Sequence, residues 1–278
     1  MRPVEKAIWY IESHFASDIT LDDIASVAGV SKFYTTRAFG EATGRSVMLY
    51  VRGRRLSEAA KALAADGAAG ILPVALDARY GSHEAFTRAF RDQFGATPDQ
   101  VRANGLDRSI ELVEPILMSQ AVLTELKPPR LVTGPALLIA GLGQRYTCEN
   151  SAGMPAQWQQ VMPYLGHVDG QVGNVAYGVR CNSDADGSFE YICGVEVRDF
   201  SSLPAEFRHL RIPAHKYAVF HHEGHISGIR STCVTIWSQW LPESRHEVAD
   251  APDFERYDER FDPKTGMGGL EIWIPIKS

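Results

Sequence analysis

Residues 31–44, SKFYTTRAFGEATG, and residues 82–95, SHEAFTRAFRDQFG, are two copies of one block. The opening Ser, the run Thr-Arg-Ala-Phe and the closing Gly recur at an offset of 51 residues. Each serine follows a turn and precedes a short amphipathic segment, so its hydroxyl is predicted to accept hydrogen bonds from the free amides of a first helical turn. Each block is therefore predicted to start a helix.

A further helix is predicted before each block. Thr20-Leu21-Asp22-Asp23 has the form of a capping box with Asp in place of Glu, and apolar residues follow at helical spacing up to the turn Gly29-Val30. Before the second block, apolar residues at the same spacing lead to the turn Tyr80-Gly81. Helix, tight turn and second helix form the helix-turn-helix arrangement, whose second helix enters the DNA major groove.

Three further phrases carry a family resemblance: LDDIA at 21–25, YVRGRRL at 50–56 and FTRAFRDQFGATP at 86–98. With the two helix-turn-helix units they resemble the AraC/XylS family of transcription regulators over residues 3 to about 104. A joining helix is predicted over about 47–65, which at about 1.5 Å per residue spans roughly 28 Å. One turn of DNA is about 34 Å, so a single chain is expected to read two successive major grooves.

The resemblance implies base contacts from the exposed early positions of each second helix. These positions are Phe33, Thr36 and Arg37 in the first copy and His83, Glu84, Thr87 and Arg88 in the second. An arginine can donate two hydrogen bonds to guanine, which discriminates between bases by about 1–3 kcal/mol. The alternative for either arginine is a solvated face or a salt bridge. Phosphate contacts, which position the protein without reading sequence, are predicted for Ser31, Lys32, Arg52, Arg54, Arg55 and Ser82.

Charge and composition bound the class of protein. The 278 residues carry 28 Lys and Arg against 34 Asp and Glu. Residues 1–106 hold 13 of the basic and 12 of the acidic side chains, so DNA affinity must come from local placement of positive charge. The chain has no apolar run near the about 20 residues of a membrane span, no signal-peptide core and no Cys-x-x-Cys pair. We expect a cytoplasmic protein with no membrane segment, structural metal or cofactor.

The sequence pattern changes near Gly105, which predicts domains at 1–106 and 125–278 joined by a linker at 107–124. Strands are predicted at 136–145, 175–181, 189–197, 214–222, 253–261 and 269–276, and helices at 156–164 and 226–241. A hairpin connection is predicted at Asp184-Ala185-Asp186-Gly187. The order strand, helix, strand, strand occurs twice. The fold prediction is therefore an all-α domain followed by an α+β domain with internal pseudo-symmetry.

A second resemblance rests on YICGVEV at 191–197, KYAVF at 216–220, PDFERY at 252–257 and LEIWIPI at 270–276. These phrases resemble the GyrI-like effector-binding domain over about 125–277. Its combination with an AraC-type reader is similar to the Rob-like regulators. The resemblance implies a groove between the two pseudo-repeats that takes up hydrophobic, often cationic, compounds with aromatic faces and a buried carboxylate.

Candidate effector residues follow from these phrases. Glu271 matches the family's carboxylate phrase, and Glu196 is the second candidate. A ring face attracts a cation by about 0.5–2 kcal/mol, and the candidate walls are Tyr177, Tyr191, Phe220, Trp237 and Trp273. Strand alternation sends about half of such residues to the core or surface instead. A metal site at His215, His221, His222 and His225 is disfavoured, because no carboxylate or Cys completes a ligand spacing.

The leading hypothesis is a transcription regulator, predicted to be an activator, that senses a small molecule. Its expected partners are double-stranded promoter DNA, a small hydrophobic or cationic effector and RNA polymerase, and no catalytic residue is predicted. One alternative is a hydrolase of electrophilic small molecules, with Glu196 and Glu271 in general acid or base roles. The other is a protein-binding module with a vestigial pocket, which a groove filled by its own side chains would favour.

Overall fold

A computed structural model describes residues 2–65, 70–116, 124–184 and 187–277. Apart from the first two residues, the chain forms a helical unit, residues 3–35 and 47–119, and a sheet unit, residues 36–46 and 120–278. The helices of the N-terminal part are α1 (Pro3–His14), α2 (Leu21–Ala28), α3 (Lys32–Thr43), α4 (Val47–Ala64), α5 (Ile71–Asp77), α6 (His83–Phe94) and α7 (Pro98–Asn104). Helix α3 begins in the helical unit and ends in the sheet unit.

The side chains that start these helices are those that the sequence predicted. Ser31 Oγ accepts from the amide of Tyr34 at 3.1 Å, and Ser82 Oγ accepts from the amide of Ala85 at 3.1 Å. Thr20 forms a capping box with Asp23 before α2. The predicted helix starts are therefore confirmed in both copies of the block.

The core of the helical unit joins α4 to α6. Leu56 and Leu63 of α4 lie in one buried cluster with Phe86 and Phe90 of α6. The rings of Phe86 and Phe90 are 5.4 Å apart. The repeated Phe of the second block is thus a core residue, and the opposite face of α6 remains available to solvent.

Arg54, for which a phosphate contact is predicted, lies inside the helical unit, and that contact stays a prediction. It is only 4% exposed. Its Nε donates to Glu12 Oε1 at 3.1 Å and its Nη1 donates to the carbonyl oxygen of Val113 at 3.0 Å. A phosphate contact would require this network to open, because freeing the guanidinium takes the cationic partner away from Glu12.

The described part of the predicted linker packs against α4. The amide of Val113 donates to Ser57 Oγ at 2.8 Å, and the amide of Ile116 donates to the Tyr50 hydroxyl at 2.9 Å. A Cβ at Gly53 would come within 2.8 Å of Val113. Residues up to 116 are therefore held on the helical unit, and 117–123 lie outside the described residues.

The sheet unit is built on one antiparallel sheet. Its strands are β1 (Arg130–Gly134), β2 (Leu137–Tyr146), β3 (Gln171–Cys181), β4 (Phe189–Val197), β5 (Arg208–Ile212), β6 (His215–Glu223), β7 (Asp253–Tyr257) and β8 (Gly269–Ile276). Their order in the sheet is β1-β6-β8-β7-β3-β4-β2-β5. The helices are α8 (Met154–Val161), α9 (Ile229–Thr235) and α10 (Leu241–Glu243), with a π-helical turn, Ile236–Trp240, joining the last two.

The two halves of the sheet are pseudo-symmetric and exchange their first strands. One repeat runs β1-β2-α8-β3-β4 and the other β5-β6-α9-β7-β8. Strand β1 pairs with β6, and β5 pairs with β2. Strands β3 and β7 meet at the centre, where Gly178 lies opposite Glu255.

The predicted strand, helix, strand, strand order is present in both repeats, each of which has one further strand before it. Strands β4 and β8 have the predicted bounds, whereas β7 ends at Tyr257 rather than at 261. The sequence reading missed β1 and β5. Both have five residues and are mostly exposed, so no run of apolar side chains marks them. Part of the predicted connection at 184–187, residues 185 and 186, lies outside the described residues.

None of the helices within the described ranges has the length and apolar character needed to cross a membrane.

Replacing Arg54 by Ala is expected to destabilise the protein by about 1–3 kcal/mol, because it leaves the half-buried Glu12 carboxylate and the Val113 carbonyl without this donor. The matched control is Arg52→Ala, since Arg52 is exposed on the same helix, with an expected change within about 0.5 kcal/mol. Chemical denaturation measures both. Equal effects of the two substitutions would contradict the buried role of Arg54.

Candidate DNA interface and effector site

Helix α6 presents the predicted base-reading residues of the second copy on its outer face. Glu84 and Arg88 are exposed, and His83 and Thr87 are half-buried. Ser82, predicted to contact phosphate, caps the helix. Because Phe86, Phe90 and Phe94 occupy the opposite face, the outer face is free to meet a nucleic acid.

Helix α3 differs from α6 although its sequence is a copy. Lys32 is exposed and pairs with Asp22 at 3.1 Å, and Phe33 is half-buried. Thr36 and Arg37 are only 8% and 9% exposed. The expectation that these two positions face solvent is wrong for this structure, and their base contacts stay a prediction.

A basic cavity of about 410 Å³ lies between α4 and α6. Its arginines are Arg52 and Arg55 of α4, Arg79 of the turn and Arg88 of α6. Arg79 Nε donates to the carbonyl of Ala16 at 2.7 Å, and Arg55 Nε donates to that of Phe15 at 2.6 Å. Guanidinium groups in such a cluster suit phosphate oxygens. Sequence reasoning missed Arg79, because it lies in the turn rather than on either block.

In the sheet unit, Glu255 of β7 is the centre of an aromatic cluster. It accepts hydrogen bonds from the hydroxyls of Tyr191 and of Tyr257, the latter at 3.2 Å. Trp158 of α8 donates from Nε1 to the Tyr191 oxygen at 3.3 Å, and its ring centroid lies 4.9 Å from that of Tyr257. Glu255, Tyr257 and Trp158 are each partly exposed, so a ligand can reach them.

Burial, aided by the charge of Asp253, raises the pKa of Glu255 to about 7, and the hydrogen bond from the Tyr191 hydroxyl opposes this shift. The carboxyl is therefore half-ionised near neutral pH. Gly178 faces this group across the strand pair, and a Cβ there would collide with the Tyr191 hydroxyl and the Glu255 carboxylate. The site thus depends on a glycine in β3.

Glu271, the carboxylate first predicted for the effector, has a different environment. It is 5% exposed, and its oxygens lie 2.6 Å from Arg130, 3.4 Å from Arg256 and 3.7 Å from Arg260. Trp273 Nε1 donates to it at 3.0 Å. Three guanidinium groups already compensate this charge, so the geometry does not favour Glu271 as the effector's partner.

The predicted wall residues do not form one site. Tyr191 lies beside Glu255, as described above. Tyr177 interacts with Glu196 on the other face of the sheet, where burial raises the pKa of Glu196, and Trp273 packs against the cluster that contains Tyr177. Phe220 packs on Trp240 with centroids 4.9 Å apart, and Trp237 is fully buried. The phrase PDFERY contained the signal for Glu255, but the sequence alone did not show which carboxylate lacks a cationic partner.

The histidines do not form a metal site in the described residues, where no group of three potential ligands occurs. His222 Nδ1 lies 2.9 Å from Thr232 Oγ1, within the sheet unit.

Comparison with known proteins assigns the class. Residues 127–277 match the GyrI-like small molecule binding domain, and residues 24–104 match a helix-turn-helix domain. The chain is 29% identical to the transcriptional regulator Rob of Salmonella typhimurium and 28% identical to the right origin-binding protein of Escherichia coli K12, covering 97% of this chain and 96% of each relative. A structure of SAV2435 bound to tetraphenylphosphonium aligns with a TM-score of 0.48 and 20% identity, over 55% of this chain and 95% of that one.

Fold, motifs and relatives define a DNA-binding transcription regulator with a small-molecule-binding domain. The chain belongs to the GyrI-like family, and its helix-turn-helix part is of the AraC/XylS type found in its homologue Rob. The two relatives that match over nearly the whole chain are named as a transcriptional regulator and as a right origin-binding protein.

Replacing Arg88 by Ala is expected to weaken binding to the preferred DNA site about 5- to 150-fold and to relax the preference at one base pair, since a bidentate guanine contact is worth about 1–3 kcal/mol. Arg91→Ala, also exposed on α6, is the control and should leave base preference intact. Selection from random duplex DNA measures both. An unchanged preference in Arg88→Ala would remove this assignment.

Replacing Glu255 by Gln is expected to remove a pH dependence of stability. A carboxyl whose pKa is about 7 in the folded state and about 4.3 when unfolded contributes stability below pH 4 that is lost as pH rises to 7. At pH 8 the variant should be more stable by up to about 4 kcal/mol. Chemical denaturation at pH 5 and pH 8 tests this. The control is Glu271→Gln, which leaves arginines unpaired and should destabilise the protein at both pH values.

Proposed function

We propose that the effector is a hydrophobic cation bound at Glu255, and that the protein responds by activating transcription together with RNA polymerase. The observation that carries the effector class is the contrast between two carboxylates. Glu255 receives hydrogen bonds from neutral hydroxyls, whereas Glu271 lies among three guanidinium groups. Of these two carboxylates, only Glu255 can gain a new ion pair from an incoming cation.

The aromatic surroundings of Glu255 suit a cation of apolar surface. Faces of Tyr and Trp attract a cation by about 0.5–2 kcal/mol, more when the site excludes water. An approaching cation also favours the ionised carboxylate and so lowers the pKa of Glu255. Binding below pH 7 therefore releases a proton.

Open space lies next to this cluster. A cavity of about 250 Å³ is lined by Leu165, Ala176 and Val195, and Ala176 is the register partner of Tyr257. Pockets for drug-sized ligands measure about 300–1,000 Å³. The effector must therefore displace side chains as well as fill existing space, which fits a site that changes on binding.

The DNA side of the proposal rests on α6 and the basic cavity beside it. Arg88 and Glu84 supply base contacts, and Arg52, Arg55 and Arg79 bind phosphate. Because promoter DNA is the target, the cytoplasm is the proposed compartment. A transcription assay with purified RNA polymerase, with and without effector, tests the sign of regulation.

Tetraphenylphosphonium, a permanent cation with four aromatic rings, is expected to bind the intact protein. As the pH increases towards 7, its affinity should rise about tenfold per pH unit, and above pH 7 the affinity should level off. Glu255→Gln should bind weakly and without pH dependence, and Glu271→Gln should bind as the wild type does. Isothermal titration calorimetry measures this, with triphenylphosphine oxide as the neutral control.

Equal binding by wild type and Glu255→Gln would overturn the proposed effector site. Hydrolysis of a reactive phenyl ester by wild type but not by Glu255→Gln would favour the hydrolase alternative, because a carboxyl with a pKa near 7 also suits general acid or base catalysis.

A further inference from the structure

The guanidinium of Arg37 makes contacts in the sheet unit like those of a bound cationic ligand. Its Nη2 is 2.7 Å from Asp253 Oδ2, its Nη1 bonds Glu41, and its Cζ lies 5.2 Å from the ring centroid of Trp237. The Arg37 side chain is 10% exposed. A carboxylate on one side and an indole face nearby are the contacts that a cationic ligand would also seek.

This position adjoins the proposed effector site. Asp253, Glu255 and Tyr257 alternate along β7 and so share one face of the sheet. The charge of Arg37 also acts on Glu255, where it lowers the pKa that burial raises. The two carboxylates of β7 therefore form one acidic surface, and Arg37 covers its Asp253 end.

When ionised, the groups at this surface carry one more negative than positive charge, with Arg37 and Glu41 or without them. Near this surface lie two guanidinium groups, Arg37 and Arg180, and three carboxyls, Glu41, Asp253 and Glu255. Glu41 is on α3 with Arg37, so both leave together if that segment moves. Asp253 and Glu255 would then face Arg180 alone, and one added cation would make this surface neutral.

Arg37 is also held imperfectly. Its Nε is buried without a hydrogen-bond acceptor among the described residues. Arg180 lies close enough that burial, together with the charge of Arg37, lowers the pKa of Arg180 to about 10. A cation that needs no hydrogen bonds would leave no buried donor unsatisfied. Removal of Arg37 would also relieve its repulsion of Arg180.

A glycine allows the helix segment that carries Arg37 to pack closely within the sheet unit. A Cβ on Gly40 would collide with Cys148 Sγ, and the amide of Ser46 donates to Glu149 Oε1 at 2.8 Å. The second block has Arg91 where the first has Gly40. The copy on α6 therefore lacks the small residue that allows this close approach.

We propose that Arg37 is a built-in occupant of the cation-binding surface, which a cationic effector replaces, and that the released Arg37 then reads DNA. The inference rests on the proposed function for the class of effector. An arginine buried against Asp253 cannot at the same time donate to a guanine. The effector and the Arg37 side chain compete for the same surface, so binding of the effector frees Arg37. Arg88, exposed on α6, reads DNA in either state.

The test uses full-length Arg37→Ala and Gly40→Leu, with Arg88→Ala as the control. Arg37→Ala and Gly40→Leu both remove the Arg37 side chain from the cation-binding surface. Each variant should therefore bind tetraphenylphosphonium at least about 5-fold more tightly than wild type, since coupled sites typically change affinity by about 5- to 150-fold. Arg88→Ala should bind it as wild type does. Circular dichroism confirms that each variant is folded, and if Gly40→Leu is not, the Arg37→Ala titration decides.

DNA binding gives the second readout. Tetraphenylphosphonium should raise the DNA affinity of wild type at least about 5-fold. Gly40→Leu, which retains a freed Arg37, should show the raised affinity without the cation, and Arg37→Ala should not respond to it. Wild-type cation affinity in both variants, with an unchanged DNA response, would overturn the inference.

The two proposals fail differently. If Glu255→Gln abolishes cation binding but Arg37→Ala leaves it unchanged, the effector site stands and the built-in occupant is refuted. If no form binds the cation but Gly40→Leu still raises DNA affinity, release of Arg37 stands and the cationic effector is refuted.

Discussion

The cost of burying an ionised carboxylate governs the functional part of this protein. An uncompensated buried charge costs several kcal/mol, and β7 directs Asp253 and Glu255 to the same face of the sheet. Asp253 meets this cost with the guanidinium of Arg37. Glu255 meets it with two tyrosine hydroxyls and a raised pKa. One strand therefore holds a satisfied charge beside one that still gains from a cation.

The same constraint separates structural from binding residues elsewhere. Glu271 has three arginines around it, and Arg54 has Glu12, Glu58 and a backbone carbonyl. Complete compensation leaves such groups nothing to gain from a ligand, and opening them is costly. Both residues resembled functional candidates in the sequence, because residue type alone does not reveal how many partners surround a charge.

The duplicated block shows how far local sequence reaches. In both copies the serine caps a helix and the repeated Phe is fully buried. These outcomes depend on contacts within a turn or on helical spacing, which the block itself contains. Arg37 and Arg88 occupy equivalent positions but end in opposite environments, one buried and one exposed. Their difference comes from residues far away in the chain, above all Asp253.

Caps, helical periodicity and short phrases in the sequence were enough to predict the helix starts, helix α4, most elements of both repeats and the family. It missed β1 and β5, because edge strands with exposed side chains carry no apolar pattern. The pairing of Arg37 with Asp253, and the different partners of Glu255 and Glu271, arise from the fold. Burial and charge pairing depend on neighbours brought together by the fold, and no local pattern encodes them.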